Sequence, residues 1–539
     1  MDIEPSSDSP ERFKLYDELE LLEFQDKFVI KSHQSSNQGF WINRHDGNIN
    51  LLDGDTNLES PSKTSTIYGV VGTIRLVVGT YAIVITSRKE VGSFLGFPVY
   101  HLMSMRVLAC NEALRFATGQ EKKDEAYFTT LLKEVESMPG LYYSYETDIT
   151  LSLQIRSKLV EGWMCKPIWK QADPRFVWNR HLLEELIECK LVIIWKHGDI
   201  GTRMWRRGAN LDGDTANFIE TEQLLEIEDF RSSFLQVRGS IPILWEQIVD
   251  LSYKPHLRPN IVTRHFNDLK QRYGDIIAVD LTDKHGEEGQ LSAAYAAEMQ
   301  NQQNVRYVPF DFHCHCGSSN FDNLKILYND ISEDFEKQRY FLIDSKGNVL
   351  EGQKGIVREN CIDSLDRTNV TQCYLAEKSL NLQLQRIGLL TLSESISMFV
   401  EEFGKFRTLW AEQGDEISLE YAGTYALKGD LVRYGKQTIT GIIRDGMSAI
   451  SRYYLNNFHD GVRQATNSQV ELNMQILPVA SALIIGGLTA TTLTLQQAGR
   501  NVHQYVSSVL CAGITAGVMA MVKANGRQFC SRPRLCGFL

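Results

Sequence analysis

Between Arg358 and Val370 the chain reads RENCIDSLDRTNV, in which Cys361 is followed by five residues and then by Arg367 and Thr368. A loop of that length can curl until its backbone N–H groups converge on a phosphate, with the thiol beneath and the guanidinium closing the side. A helix is expected to begin near Thr368, so that its amino-terminal dipole adds to the positive field. Such a field favours thiolate over thiol and predicts a lowered pKa and a nucleophilic sulfur at Cys361. Arg367 is expected to hold two phosphoryl oxygens and stabilise the transition state. Displacing an alkoxide also needs a proton donor, and Asp363 or Asp366 can supply it from within the loop; the sequence leaves that choice open. The chemistry requires no metal and no cofactor.

The flanks of this motif make it specific. RENCIDSLDRTNV resembles the signature R-x-N-C-x-D-C-L-D-R-T-N of the Sac-domain (suppressor-of-actin) phosphoinositide phosphatases. The resemblance continues through ITSRKEVG, YYSYETDITLSLQ, RFVWNRHLLEEL, RRGANLDGDTANFIETEQ, VRGSIPILWEQ and LEYAGTYALKGD, and so covers most of the chain. It implies hydrolysis of phosphatidylinositol phosphates through a phosphocysteine intermediate. It also assigns Asn360, Ile362, Ser364, Leu365, Thr368 and Asn369 to the same phosphate loop. Ser364 stands where many family members have a second cysteine, which removes a resolving partner for an oxidised Cys361. Its hydroxyl is free either to donate to the thiolate or to brace the loop.

The elements that must position this loop are read from patterning. To about residue 180, β-branched and aromatic runs such as GVVGTIRLVVGTYAIVITSRKEVG alternate with turn signals, which predicts a β-rich amino-terminal subdomain. Asp46-Gly47 and Asp53-Gly54 mark hairpin turns. Residues 181–456 mix helical stretches, HLLEELIE and ETEQLLEIEDF, with apolar runs CKLVIIW and GDIIAVDL, as an α/β catalytic subdomain does. The fold class is thus α/β (α+β) in two parts, followed by a linker over 457–474.

Beyond it, ILPVASALIIGGLTATTLTL and VHQYVSSVLCAGITAGVMAMV carry no Lys, Arg, Asp or Glu and are long enough to cross a bilayer. Two membrane helices within 475–523 are therefore expected, with small residues such as Gly486, Gly487, Gly513 and Gly517 permitting close packing. Lys523, Arg527, Arg532 and Arg534 in the tail, against Arg500 in the connector, place the tail (524–539) and hence both termini in the cytoplasm. Lys428, Arg433, Lys436 and Arg444, shortly before the first span, form a candidate membrane-facing basic strip. Arg206 and Arg207 invite the same reading or that of a solvated face. Glu220 and Glu222 are read as structural carboxylates. The two spans resemble the endomembrane-anchored branch of the family, which implies phosphatidylinositol 4-phosphate as substrate and the endoplasmic reticulum or Golgi as location.

A net charge of −11 disfavours non-specific nucleic-acid binding but leaves room for a locally positive pocket. Ten cysteines spread along the chain read as free cytosolic thiols. His313-Cys314-His315-Cys316 has metal-like spacing without a second pair at finger-like distance, so no metal site is predicted. Two other functions compete: a protein phosphatase using the same cysteine chemistry, and a lipid-binding tether that senses phosphoinositide without turnover.

Overall fold

The computed structural model describes the chain from Leu15 to His459, apart from 35–37, 53–59, 137–139, 161–162, 178, 180–181, 184–185, 187–206, 228, 248–254, 259–260 and 318–320, together with a few positions between 509 and 520. Strands β1 (Leu19–Glu23), β2 (Lys27–Ser32), β3 (Gly39–Asn43), β4 (Ile49–Leu51) and β5 (Lys63–Ile67) form an antiparallel sheet in the order β4-β3-β2-β1-β5. Strands β6 (Val70–Arg75), β7 (Thr80–Phe94), β8 (Phe97–Cys110) and β9 (Tyr142–Tyr143) form a second. Alternation drives this region: Leu19, Leu21, Phe28, Ile30, Phe40 and Ile42 fall on one face and join Tyr81–Ile85 in a common core. The β-rich reading of the amino-terminal part holds. Asp46-Gly47 turns β3 into β4, with the Gly47 N–H on the Asn43 carbonyl at 2.9 Å and its φ at 74°, a value that favours glycine. Asp53-Gly54 lies outside the described residues.

A third sheet has seven strands among the described residues: β10 (Ile219–Ile227), β11 (Phe230–Arg238), β14 (Asp275–Asp280), β15 (Val305–Pro309), β16 (Phe341–Asp344), β17 (Val349–Glu351) and β18 (Gly355–Asn360). A separate hairpin joins β12 (Leu244–Gln247) to β13 (Pro255–Arg258). Their order is β15-β14-β18-β11-β16-β17, with β10 also on β11; β15, β14, β18 and the end of β11 run parallel. Helices follow in chain order as α1 (Gly119–Val135), α2 (Leu153–Arg156), α3 (Ile168–Gln171), α4 (Val262–Tyr273), α5 (Gly286–Met299), α6 (Phe312–Cys316), α7 (Leu324–Gln338), α8 (Asp366–Arg386), α9 (Val400–Ala422), α10 (Gly429–Tyr434) and α11 (Ile439–Tyr454). Successive side chains of β14 part to opposite faces: Ile277 and Val279 pack with α7 and α8, whereas Ile276 and Ala278 pack with α4 and α5. A parallel sheet covered on both faces results, as its near-continuous apolar strands require. The mixed α/β expectation is met.

One element is corrected. ETEQLLEIEDF, expected to be helical, is strand β10 and the turn into β11, in continuous register from Ile219 opposite Arg238 to Ile227 opposite Phe230. Leu and Glu favour helix only weakly, and a fully paired hairpin edge outweighs that preference. HLLEELIE and CKLVIIW fall largely or wholly outside the described residues, as do most of the linker and the two expected spans. Among the described residues no helix is long and apolar enough to cross a membrane.

Candidate active site

Strand β18 ends at Asn360 and α8 begins at Asp366, so Cys361–Leu365 crosses the carboxyl edge of the parallel strands, where α/β sheets bind ligands. The helix starts two residues before the expected Thr368, which brings Arg367 into its first turn. Donors behind the loop take up its carbonyls. Asn217 donates its amide to Asp363 O at 2.9 Å and Ser364 O at 3.4 Å, and the Ser240 hydroxyl donates to Ile362 O at 2.9 Å. Among the described residues no backbone carbonyl receives the N–H of Ile362, Ser364 or Leu365, which leaves these donors for an anion. Ser364 adopts a φ of 58°, in the left-handed region, and its hydroxyl donates to the Gly239 carbonyl. Its side chain therefore braces the loop and does not serve the sulfur.

The two aspartates are in different surroundings. Cys361 Sγ lies 3.7 Å from Asp363 Oδ1, while Asp363 Oδ2 accepts from Arg207 Nη2 at 3.1 Å in a pair whose side chains are each only 4% exposed. Asp366 points away from the sulfur. Arg452 Nη1 reaches its Oδ2 at 2.6 Å and Nη2 its Oδ1 at 3.0 Å, and the Leu427 N–H adds a bond at 2.6 Å. Arg207 is thus neither solvated nor membrane-facing; Arg206 lies outside the described residues.

Arg367 is already engaged. Its Nη1 donates to Leu281 O at 3.1 Å and Asp283 Oδ1 at 3.3 Å, and its Nη2 to Glu288 Oε1 at 2.6 Å. Asp283 also faces His313, whose Nδ1 is 2.7 Å from Oδ1. These acidic partners were not singled out from the sequence. The signal available was TDKHGEEG directly after GDIIAVDL, a charged turn at the same sheet edge as the loop.

The thiol departs from expectation. Burial pushes Cys361 above its ordinary value; Arg367 and the Thr368 hydroxyl, 3.6 Å from Sγ, pull it down but do not prevail, and the Asp363 charge adds to the rise. Burial likewise raises Glu288, against the pull of Arg367. Burial works against the Arg367 charge, yet Cys361 and Glu288 carry that guanidinium above its usual value.

Other loop residues are structural in their contacts. Asn360 donates to Asp280 Oδ1 at 2.6 Å and accepts from Arg358 at 2.8 Å, and Asn369 joins Arg238 at 3.2 Å to the Trp410 carbonyl at 3.3 Å. Leu365 is buried against Ile417 and Tyr421, and Ile362 packs on the α4–α5 side. The four basic candidates separate. Lys428 is half-buried over the Phe312 ring and Arg433 pairs with Asp415 at 3.0 Å, so neither belongs to an open strip; Lys436 and Arg444 are exposed. In the His-Cys run, His313 turns to Asp283, His315 stacks on Phe310, Cys314 is exposed and Cys316 joins the core. Glu220 accepts from Tyr273 and Arg175, and Glu222 from the Leu153 N–H at 2.9 Å, which confirms both as structural, though on a strand.

Comparison with known proteins agrees with this geometry. The family model described as "SacI homology domain" matches residues 68–199 and 189–317. Phosphoinositide phosphatase SAC8 of Arabidopsis thaliana is 60% identical, over 99% of this chain and 100% of the relative. Phosphatidylinositol-3-phosphatase SAC1-A of Danio rerio is 32% identical, over 90% of this chain and 92% of its own length. The SAC1 phosphatidylinositol-3-phosphatase of Saccharomyces cerevisiae is 31% identical, over 83% and 77%. With a cysteine–arginine loop at the carboxyl edge of a parallel sheet and end-to-end similarity of this extent, the chain belongs to the Sac (SacI homology) domain family and is a phosphoinositide phosphatase.

Proposed function

We propose that phosphate is transferred from the inositol ring to Cys361 and then to water, with Asp363 as the group that carries the proton. The observation that carries this reading is the Cys361–Asp363 contact at 3.7 Å, with Asp366 committed to Arg452. The thiol is protonated at rest, so its proton passes to Asp363 as the sulfur attacks phosphorus. The S–P bond forms, the P–O bond to the ring breaks, and Asp363 returns that proton to the leaving oxygen. Water then attacks the phosphocysteine and gives a proton to Asp363; the S–P bond breaks, phosphate is released, and Asp363 passes that proton to the departing sulfur, which restores the thiol. Arg367 must leave Glu288 to clamp the phosphoryl oxygens, and the loop N–H groups supply the remaining donors.

The substrate is phosphatidylinositol 4-phosphate in this reading, supported by resemblance to the endomembrane-anchored branch. The Danio and Saccharomyces relatives, both named as phosphatidylinositol-3-phosphatases, favour a second assignment, the 3-phosphate. The protein is integral to an endomembrane, endoplasmic reticulum or Golgi, through two helices within 475–523, with its catalytic part and both termini cytosolic. Support comes from two uncharged stretches and the basic tail.

Phosphate release by the full chain from a panel of phosphatidylinositol phosphates, without added metal, tests both parts. The 4-phosphate is expected to be hydrolysed fastest and Cys361→Ser to be inactive. Preference for the 3-phosphate transfers the assignment to that isomer. Binding without turnover of any lipid replaces this reading with that of a tether.

A further inference from the structure

Helix α11 turns its apolar side outward. Ile439, Ile442, Ile443, Met447, Ile450 and Tyr454 are all exposed, from 51% at Tyr454 to 80% at Ile439. At 3.6 residues per turn they fall within one arc of about 140° that contains no charged residue. The opposite side is firmly seated: Gly441, Ser448 and Arg452 are buried, and a Cβ at Gly441 would collide with Asp430. An amphipathic helix in a soluble core faces the other way, and an exposed patch of this kind marks an interaction surface.

We infer that this face lies in the interfacial layer of the bilayer and presents the catalytic loop to lipid headgroups. Three observations select a lipid surface as the occupant. The cations that border the arc, Lys436 and Arg444, are exposed, and so are the neighbouring tyrosines Tyr434 and Tyr453, a combination suited to an anionic headgroup layer. The helix is rigidly coupled to the site through Arg452, which grips Asp366 at the start of α8, and through Asp445, which accepts from the Lys428 N–H at 3.0 Å. Finally, the substrate is itself a bilayer lipid, on which this inference rests.

The test uses the full chain with Ile443→Glu and Ile450→Glu combined, beside the same positions changed to Leu. Each preparation is assayed in detergent on a soluble short-chain phosphoinositide. It is also assayed after reconstitution into phosphatidylcholine–phosphatidylserine vesicles that carry the long-chain form of the isomer released fastest. The Glu pair is expected to keep its rate on the soluble lipid and lose at least about ten-fold on vesicles, since two exposed isoleucines that would enter the bilayer interface become charges there; the Leu pair keeps both rates. An unchanged vesicle rate, or a parallel loss on both substrates, overturns the inference. So does a change in oligomeric state by sedimentation, which would assign the face to a second copy. An independent readout is labelling of residues 439–454 by a photoactivatable phosphatidylcholine in the reconstituted vesicles. Labelling is expected, its absence overturns the inference, and it decides the matter even if the parent chain turns over neither substrate, which would be a failure of the phosphatase reading alone.

Discussion

At the scale of single residues, the site contains two aspartates of the same loop whose chemistry is divided by their partners. Asp363 sits against the sulfur and is oriented by Arg207, whereas both oxygens of Asp366 are held by Arg452. A carboxylate gripped bidentately is poorly placed to swing to a leaving group, which is why the proposed proton transfer is assigned to Asp363. Asp363→Asn is expected to lower kcat by about 10²–10⁴-fold while phosphoinositide binding persists, because an amide keeps the shape but cannot relay a proton. Single-turnover kinetics with a binding isotherm on the same variant check this; a kcat within a few-fold of the parent would remove Asp363 from the mechanism. That Cys361 and Arg367 share one loop was legible from the motif together with its flanks. The state of the thiol could not be, because it depends on burial beneath the loop, and neither could the engagement of Arg367 by Glu288 and Asp283, which arrive from a segment some eighty residues upstream.

At the scale of elements, β18 and α8 form the strand–loop–helix unit that the motif implies, and its position at the centre of a parallel sheet follows from the apolar runs. What sequence patterning missed is pairing. β10 looked helical because Glu and Leu dominate it, and only the nine-residue register with β11 makes it a strand. Likewise Arg452 carries no local signal; it lies eighty-six positions from Asp366 and meets it only because α11 packs beside the start of α8. Its guanidinium also bonds Ser418, Thr424 and the Tyr425 carbonyl, so it ties α11 to α9 and to the loop after it. Arg452→Met is expected to destabilise the fold by roughly 3–5 kcal/mol, the usual result of removing one partner of a buried ion pair. Thermal unfolding measures the loss, and a change below about 1 kcal/mol would mean that the pair is solvated.

At the scale of the whole molecule, the catalytic sheet stores charge in its centre. Glu359, on β18 two residues before Cys361, is fully buried, and neither carboxylate oxygen has a hydrogen-bond partner among the described residues. Burial raises its pKa well above the ordinary carboxylate range, against the opposing pull of Arg238 and Arg358. Folded Glu359 therefore keeps its proton at pH values where the unfolded chain has released it. A raised acid contributes stability that is complete below the unfolded pKa and is lost as pH climbs toward the folded one, by about 1.4 kcal/mol per pH unit inside that window. Glu359→Gln removes this titration while keeping the volume. Unfolding temperatures of parent and variant, compared from pH 5 to pH 8, are expected to diverge in favour of the variant as pH rises. If Glu359 were instead ionised against Arg238, the substitution would leave a buried cation unpaired and destabilise the protein throughout the neutral range. The sign of the difference at pH 8 thus decides whether the core beneath the phosphate loop is held by a neutral carboxyl or by an ion pair with Arg238.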